Sequence, residues 1–162
     1  MVAGATTFHS LYEAHAKDVY RFARFLTGSD DAAADVTSET FLRAWVGRDT
    51  IRLETAKAYL LAIARNLARD RGRAAARLAD AEPPDTPVAP NAEARLELGR
   101  TLAAVRALPA DYREPLLLAA AGVGYEEIGR VLGLSIGTVK IRVHRARLKL
   151  GTAMAAPLEK QP

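Results

Sequence analysis

The chain has 162 residues and no cysteine. That absence excludes a disulfide scaffold, a thiol nucleophile and any cysteine-based zinc site. It is compatible with a reducing compartment, and a cytoplasmic location is expected. Long apolar runs are missing too. Nothing approaches the roughly 20 consecutive apolar residues of a membrane-spanning helix, and the N-terminus lacks the basic-then-apolar pattern of a secretory leader. Neither membrane insertion nor a leader is expected. Aromatics are scarce, at 6% of residues with a single Trp, so a core must come from Leu, Val, Ile and Ala. Paired carboxylates, a glycine-rich phosphate loop and a metal-ligand cluster are also lacking. No catalytic set, cofactor or metal is therefore expected.

Ala, Leu and Arg dominate instead, and these favour helices. The net charge of +4 permits an acidic partner, but its distribution says more. Acids gather at Asp30, Asp31, Asp35 and Glu39, whereas Arg gathers over residues 65–77 and cations return over 140–149. The strongest pattern is residues 134–150, LSIGTVKIRVHRARLKL. Ser135 has the chemistry of a helix N-cap. Ile136, Val139, Val143, Ala146 and Leu150 recur at steps of three and four, which predicts one buried helical face. The remaining surface carries Lys140, Arg142, Arg145, Arg147 and Lys149 with His144 and no acid. A short apolar-backed helix precedes it, over 125–132, and Gly133 separates the two. Helix, glycine turn and basic helix is the layout of a helix-turn-helix, whose second helix enters the DNA major groove. Taken alone, the same pattern also fits a solvated basic surface helix.

Upstream, Phe8, Leu11, Tyr12, His15, Val19, Phe22, Ala23 and Leu26 predict a helix over 8–26 that stops at Gly28. His15 lies on its apolar stripe and reads as a partly buried core histidine, with no second ligand at metal spacing. A second helix is predicted from Ser29 or Asp30 to Gly47, its early acids suiting the helix dipole. Ala33, Val36, Thr40, Phe41 and Ala44 form its inner face. Asp35, Ser38, Glu39, Leu42 and Trp45 therefore point elsewhere, as a protein-binding patch or, for Trp45, as the close of the core. After a polar connection over 48–55, a third helix is predicted over 56–76. Leu60, Ile63, Ala64 and Leu67 face inward, and Arg65, Asn66, Arg69 and Arg73 form a second basic stripe. Asn66 can hydrogen-bond a base, while a solvated Arg face remains the other reading.

Residues 79–91, ADAEPPDTPVAPN, hold four prolines and three acids and predict a semi-extended linker. A helix restarts over 93–107, with Leu98, Leu102 and Val105 inward, and ends at Leu108-Pro109. Asp111 and Glu114 have capping-box spacing and predict a helix from 111 to about 121. Pro115 then sits at the edge of its tolerated first turn.

Three stretches, in order, resemble the extracytoplasmic-function (ECF) sigma factors of bacterial RNA polymerase, in the sigma-70 family. DVTSETFLRAW at 35–45 is similar to the helix that docks on core polymerase. AYLLAIARNLARDRGR at 58–73 is similar to the helix that engages the promoter −10 element. Residues 108–150 are similar to the region that binds the −35 element. The resemblance implies an all-α fold of two small helical domains joined by the Pro-rich linker: sigma region 2 at 6–77, linker at 78–92, and sigma region 4 at 93–151. No appended C-terminal sensing domain is expected. It implies −35 contacts from Ser135, Thr138, Lys140, Ile141, Arg142, His144 and Arg145. It implies −10 contacts from Arg48, Arg52, Arg65, Asn66, Arg69 and Arg73. It implies polymerase contacts from Asp35, Ser38, Glu39, Leu42, Arg43 and Trp45. The implied partners are bacterial core RNA polymerase, promoter DNA and, as in many family members, an anti-sigma factor. Three features depart from the family pattern: Ser38 stands where Gln is usual, Ile141 where Ser or another polar residue is common, and the turn at Gly122 to Gly124 before the helix-turn-helix is slightly short. The implied function is a promoter-specificity factor that helps open DNA and is not itself an enzyme. The alternative is a helix-turn-helix regulator that binds DNA without polymerase; it leaves residues 35–45 without a role.

Overall fold

The computed structural model describes residues 2–78 and 92–155, and every regular element among them is helical. The chain divides into two compact units, Met1–Asp85 and Thr86–Pro162. The proline-rich stretch at 79–91 lies outside the described residues.

The first unit packs three helices: α1 (Val2–Thr27), α2 (Asp30–Val46) and α3 (Ala56–Leu78). Gly28 takes the left-handed conformation, φ 74, and its N–H donates to the Arg24 carbonyl at 2.9 Å. That ends α1 where a side chain would be strained. Ser29 then caps α2, its Oγ accepting from the Ala32 N–H at 3.3 Å. Each helix supplies one apolar face to a shared core. Val19 and Phe22 come from α1, Val36 and Phe41 from α2, and Leu60, Leu61, Ala64 and Leu67 from α3; all are buried. Arg24 and Asp30 join the first two helices. The Arg24 Nε and the Tyr20 hydroxyl both donate to Asp30 Oδ1, at 2.7 and 3.0 Å. Lys57 ties α3 to α1 through Asp18 at 3.2 Å. Tyr12, placed by periodicity on the buried stripe, is 47% exposed. It lies at the margin, its ring edge-on to Phe41 at 4.8 Å.

The second unit holds α4 (Ala92–Ala107), α5 (Ala110–Ala120), α6 (Tyr125–Leu132) and α7 (Ile136–Ala155). Val105 of α4, Leu116 to Leu118 of α5, Ile128 of α6, and Val139, Val143 and Ala146 of α7 are buried. The capping box expected at Asp111 and Glu114 does not form. Pro109 is the N-cap, and its carbonyl accepts from Tyr112 and Arg113, both at 2.9 Å. Asp111 is thus inside the helix, and Glu114 is buried on its inner side. Pro115 becomes the sixth helical residue, in the interior rather than the first turn, and forfeits one backbone bond there. At the end of α5, Gly122 adopts φ 90. Its N–H reaches Ala119 O, and the Val123 N–H reaches Leu118 O. This double closure, with Val123 buried, is a Schellman stop.

Candidate nucleic-acid interface

The turn between α6 and α7 is built by two glycines with different tasks. Gly133 ends α6 at φ 69, and the Leu134 N–H folds back to Gly129 O at 2.8 Å. Gly129 is glycine because of that fold-back. A Cβ there would meet the Leu134 carbonyl oxygen at 2.5 Å. The close approach is to the turn itself. Ser135 then opens α7. Its Oγ accepts from the Thr138 N–H at 3.2 Å and shares a hydrogen bond with Thr138 Oγ1 at 2.9 Å. The two hydroxyls therefore hold the helix start as well as facing outward, and Thr138 is only half-exposed.

Along α7, Val139, Val143 and Ala146 are fully buried. At 100° per residue, the opposite face carries Lys140, Ile141, His144 and Arg145, and all four are exposed. Ile141 is 52% exposed and Leu148, on the same face, 58%. Arg142 is half-buried on a flank, and Lys149, though exposed, has its ammonium 5.5 Å from the centre of the Tyr112 ring. Ile136, expected among the buried residues, is 49% exposed. It lies in the first turn, about 60° off the Val139 direction by helical spacing. On α6, Arg130 is held by Glu126 at 2.8 Å and by Glu127, so its charge is spent within the helix.

In the first unit, α3 turns Asn66, Arg69 and Arg73 to one exposed face. Arg65 is half-buried at the edge of that stripe, about 40° from Arg69 and 100° from Asn66. Tyr59 extends the same face at its N-terminal end and is 37% exposed. Its i, i+7, i+10, i+14 spacing to Asn66, Arg69 and Arg73 is the signal in the sequence that finds it. Arg52 is 80% exposed in the connecting loop, 3.8 Å from Glu54. Arg48 is different: it is half-buried, its guanidinium lies 4.0 Å over the Trp45 ring, and its Nη1 donates to the Trp45 carbonyl at 2.8 Å.

On α2, Asp35, Ser38, Glu39 and Leu42 share an outer face, with Trp45 at its edge. Both acids are engaged: Asp35 with Arg71 at 3.5 Å and Glu39 with Arg43 at 3.1 Å. The apolar part of the patch is larger than expected. Val46 is 83% exposed beside Leu42 at 62%, and its i+4 spacing from Leu42 is the signal that finds it. Trp45 is partly covered, with the Phe8 ring edge-on at 5.0 Å, so it closes the core and borders the patch at once. No group of three or more His, Cys, Asp or Glu is arranged for a metal among the described residues. No helix among them is long and apolar enough to cross a membrane.

Comparison with known families matches sigma-70 region 2 over residues 11–78 and sigma-70 region 4 over 98–150. The ECF RNA polymerase sigma factor EcfG of Rhodopseudomonas palustris is 38% identical, over 82% of this chain and 77% of its own length. The chain belongs to the ECF sigma factors. SigE of Mycolicibacterium smegmatis, also an ECF sigma factor, is 34% identical over 94% of this chain, which spans 63% of that longer relative. Among solved structures, RpoE of Bartonella quintana, in complex with the anti-sigma factor NepR, superposes with a TM-score of 0.76 at 30% identity. That alignment covers 91% of this chain and 96% of RpoE. CnrH, in complex with the cytosolic domain of CnrY, gives 0.72 at 29% identity, covering 93% and 88%. The ECF sigma factor accordingly acts in transcription initiation with RNA polymerase. A regulator working without polymerase would use only the second unit and is not favoured. The family consists of non-catalytic initiation factors.

Proposed function

We propose that the two basic faces grip two promoter elements while the outer face of α2 docks on core RNA polymerase. The observation that carries this reading is α7: Lys140, Ile141, His144 and Arg145 exposed on one side, Val139, Val143 and Ala146 buried on the other. A helix so backed presents its first turns to the −35 major groove. Arg145 has the length and fork to read a guanine, and Ile141 offers an apolar surface to a thymine methyl. Ser135 and Thr138 set the helix start against the backbone, and Arg142 is placed for a flanking phosphate.

The α3 stripe of Asn66, Arg69 and Arg73, with Arg52 and the loop at 47–55, holds the −10 strand. Opening DNA costs about 1.4 kcal/mol per base-pair step, and capture of an extruded base offsets part of it. Leu42, Val46, Ser38 and the edge of Trp45 supply the polymerase contact, with the Asp35–Arg71 and Glu39–Arg43 pairs around them. The chain contributes no catalytic group; phosphodiester chemistry is the polymerase's. It works in the cytoplasm, and an anti-sigma protein holds it inactive by covering these faces. We assign the domains to residues 6–77 and 93–151, joined by the linker at 78–92.

The test is in vitro transcription with core polymerase on a genomic library, with start sites sequenced. Specific initiation from promoters sharing two spaced elements is expected. Absence of specific initiation by the purified chain would overturn the reading.

A further inference from the structure

We propose that Arg48 is a positioning residue that latches the loop at 47–55 to Trp45, a role that rests on reading this loop as part of the −10 face. The guanidinium is already occupied. Its Nη1 donates to the Trp45 carbonyl at 2.8 Å, and its carbon lies 4.0 Å over the indole. That carbonyl belongs to the last turn of α2, where carbonyls lack helical partners and a cation suits the dipole. Arg52, four residues on, is 80% exposed and pairs with Glu54 at 3.8 Å. The two arginines of one loop thus have different work: Arg52 is available to a phosphate and Arg48 is committed to the protein.

Arg48 holds the entry of the loop. It opens a 3-10 turn, Arg48–Thr50, in which the Ile51 N–H donates to Arg48 O and Thr50 Oγ1 donates to Gly47 O at 2.8 Å. The ring it grips is itself fixed, with Phe8 of α1 edge-on at 5.0 Å. From the other side Tyr59 of α3 closes down: a Cβ at Gly47 would lie 3.1 Å from its hydroxyl. Arg48 and Tyr59 together set where Arg52 and the 66%-exposed Leu53 are presented. Trp45 also borders the outer face of α2. A partner bound on that face therefore touches the ring that sets the loop.

The experiment uses the full chain with core polymerase and a single strand carrying the −10 element, against a scrambled strand, across a salt series. Arg48→Ala is expected to lower the preference for the −10 strand about tenfold, the size of a cation–π contact and one capping hydrogen bond together. The salt slope is expected to stay unchanged. Arg69→Ala, a phosphate contact, is expected to weaken both strands alike and to reduce the slope by about 0.7. Arg48→Lys keeps the charge but not the planar fork, so it is expected to match Arg48→Ala. Trp45→Leu should show the same loss, and the double variant no further loss. Because Trp45 is the single tryptophan, emission of the free chain reports the latch and should shift in both Arg48 variants. A reduced slope with unchanged preference overturns the proposal in favour of a phosphate contact. Unchanged preference with unchanged emission overturns it as well, as do additive losses in the double variant. Failure of the unsubstituted holoenzyme to prefer the −10 strand is a separate result, and it overturns the assignment of the loop itself.

Discussion

A methyl group added at Gly129 would lie 2.5 Å from the Leu134 carbonyl oxygen, whereas one added at Gly137 would meet nothing within 4 Å. The same substitution therefore has opposite signs four residues on either side of the turn. Gly129→Ala is expected to destabilise the second unit by about 1–3 kcal/mol, because backbone must move to relieve the clash. Gly137→Ala is expected to stabilise by up to about 1 kcal/mol through helix propensity. Denaturant unfolding of each variant checks the pair, and equal effects would contradict the geometry. At Arg145 the expectation concerns sequence reading. Arg145→Ala is expected to cost about 1–3 kcal/mol of −35 binding and to relax the requirement at one base pair. A uniform loss over all sequences would mark a phosphate contact instead.

The helices depend on pairings that respond to pH. Hydrogen bonds from Arg24 and Tyr20 hold the Asp30 carboxyl below its ordinary range. A carboxyl depressed in the fold stabilises the α1–α2 junction above its unfolded value, and that contribution is lost as pH falls through the folded one. His15 works in a neighbouring window. Burial lowers its value, Lys57 adds to this and Asp18 opposes it, and its buried Nδ1 has no hydrogen-bond partner among the described residues. The neutral ring is the form the fold accepts, so stability is full above the ordinary histidine value of 6.5 and declines below it. Thermal unfolding from pH 7 to 3 should show two declines. His15→Gln is expected to remove the upper one and Asp30→Asn to flatten the lower. On α2 the expectation concerns docking. Val46→Glu leaves the core untouched, since Val46 is 83% exposed. It is expected to weaken binding to core polymerase by about tenfold, as loss of an apolar interface anchor does. Titration of the labelled chain with core polymerase measures it, and unchanged affinity would remove Val46 from the interface.

For the whole molecule, the two basic faces proposed to grip the −10 and −35 elements lie in separate compact units. Substitutions in the two should act independently on promoter binding. The free-energy losses of Arg69→Ala and Arg145→Ala are expected to add within about 0.5 kcal/mol in the double variant. A larger discrepancy, read from holoenzyme binding to a duplex promoter, would mean that the two faces communicate. The formal net charge of +4 is modest, so the salt dependence of binding should follow the few exposed cations of α3 and α7 rather than the overall charge.

Periodicity and punctuation were enough for the sequence to determine the helices, the stops at Gly28 and Gly133, and the two basic stripes. These are local properties: a run of Val139, Val143 and Ala146 can be buried only on one face, and a left-handed stop favours glycine. The tertiary structure decided which members of each stripe are free. Arg48 and Lys149 look like their neighbours in sequence, yet each is taken up by an aromatic ring. Arg65 is half-buried beside an exposed Asn66, and Ile136 emerges although its spacing predicts burial. Asp111 and Glu114 have the spacing of a cap and serve otherwise, because the Pro109 carbonyl starts the helix before them. For Arg48, Lys149, Asp111 and Glu114 the deciding contact lies with a residue or helix end that the side chain's own helical periodicity does not encode.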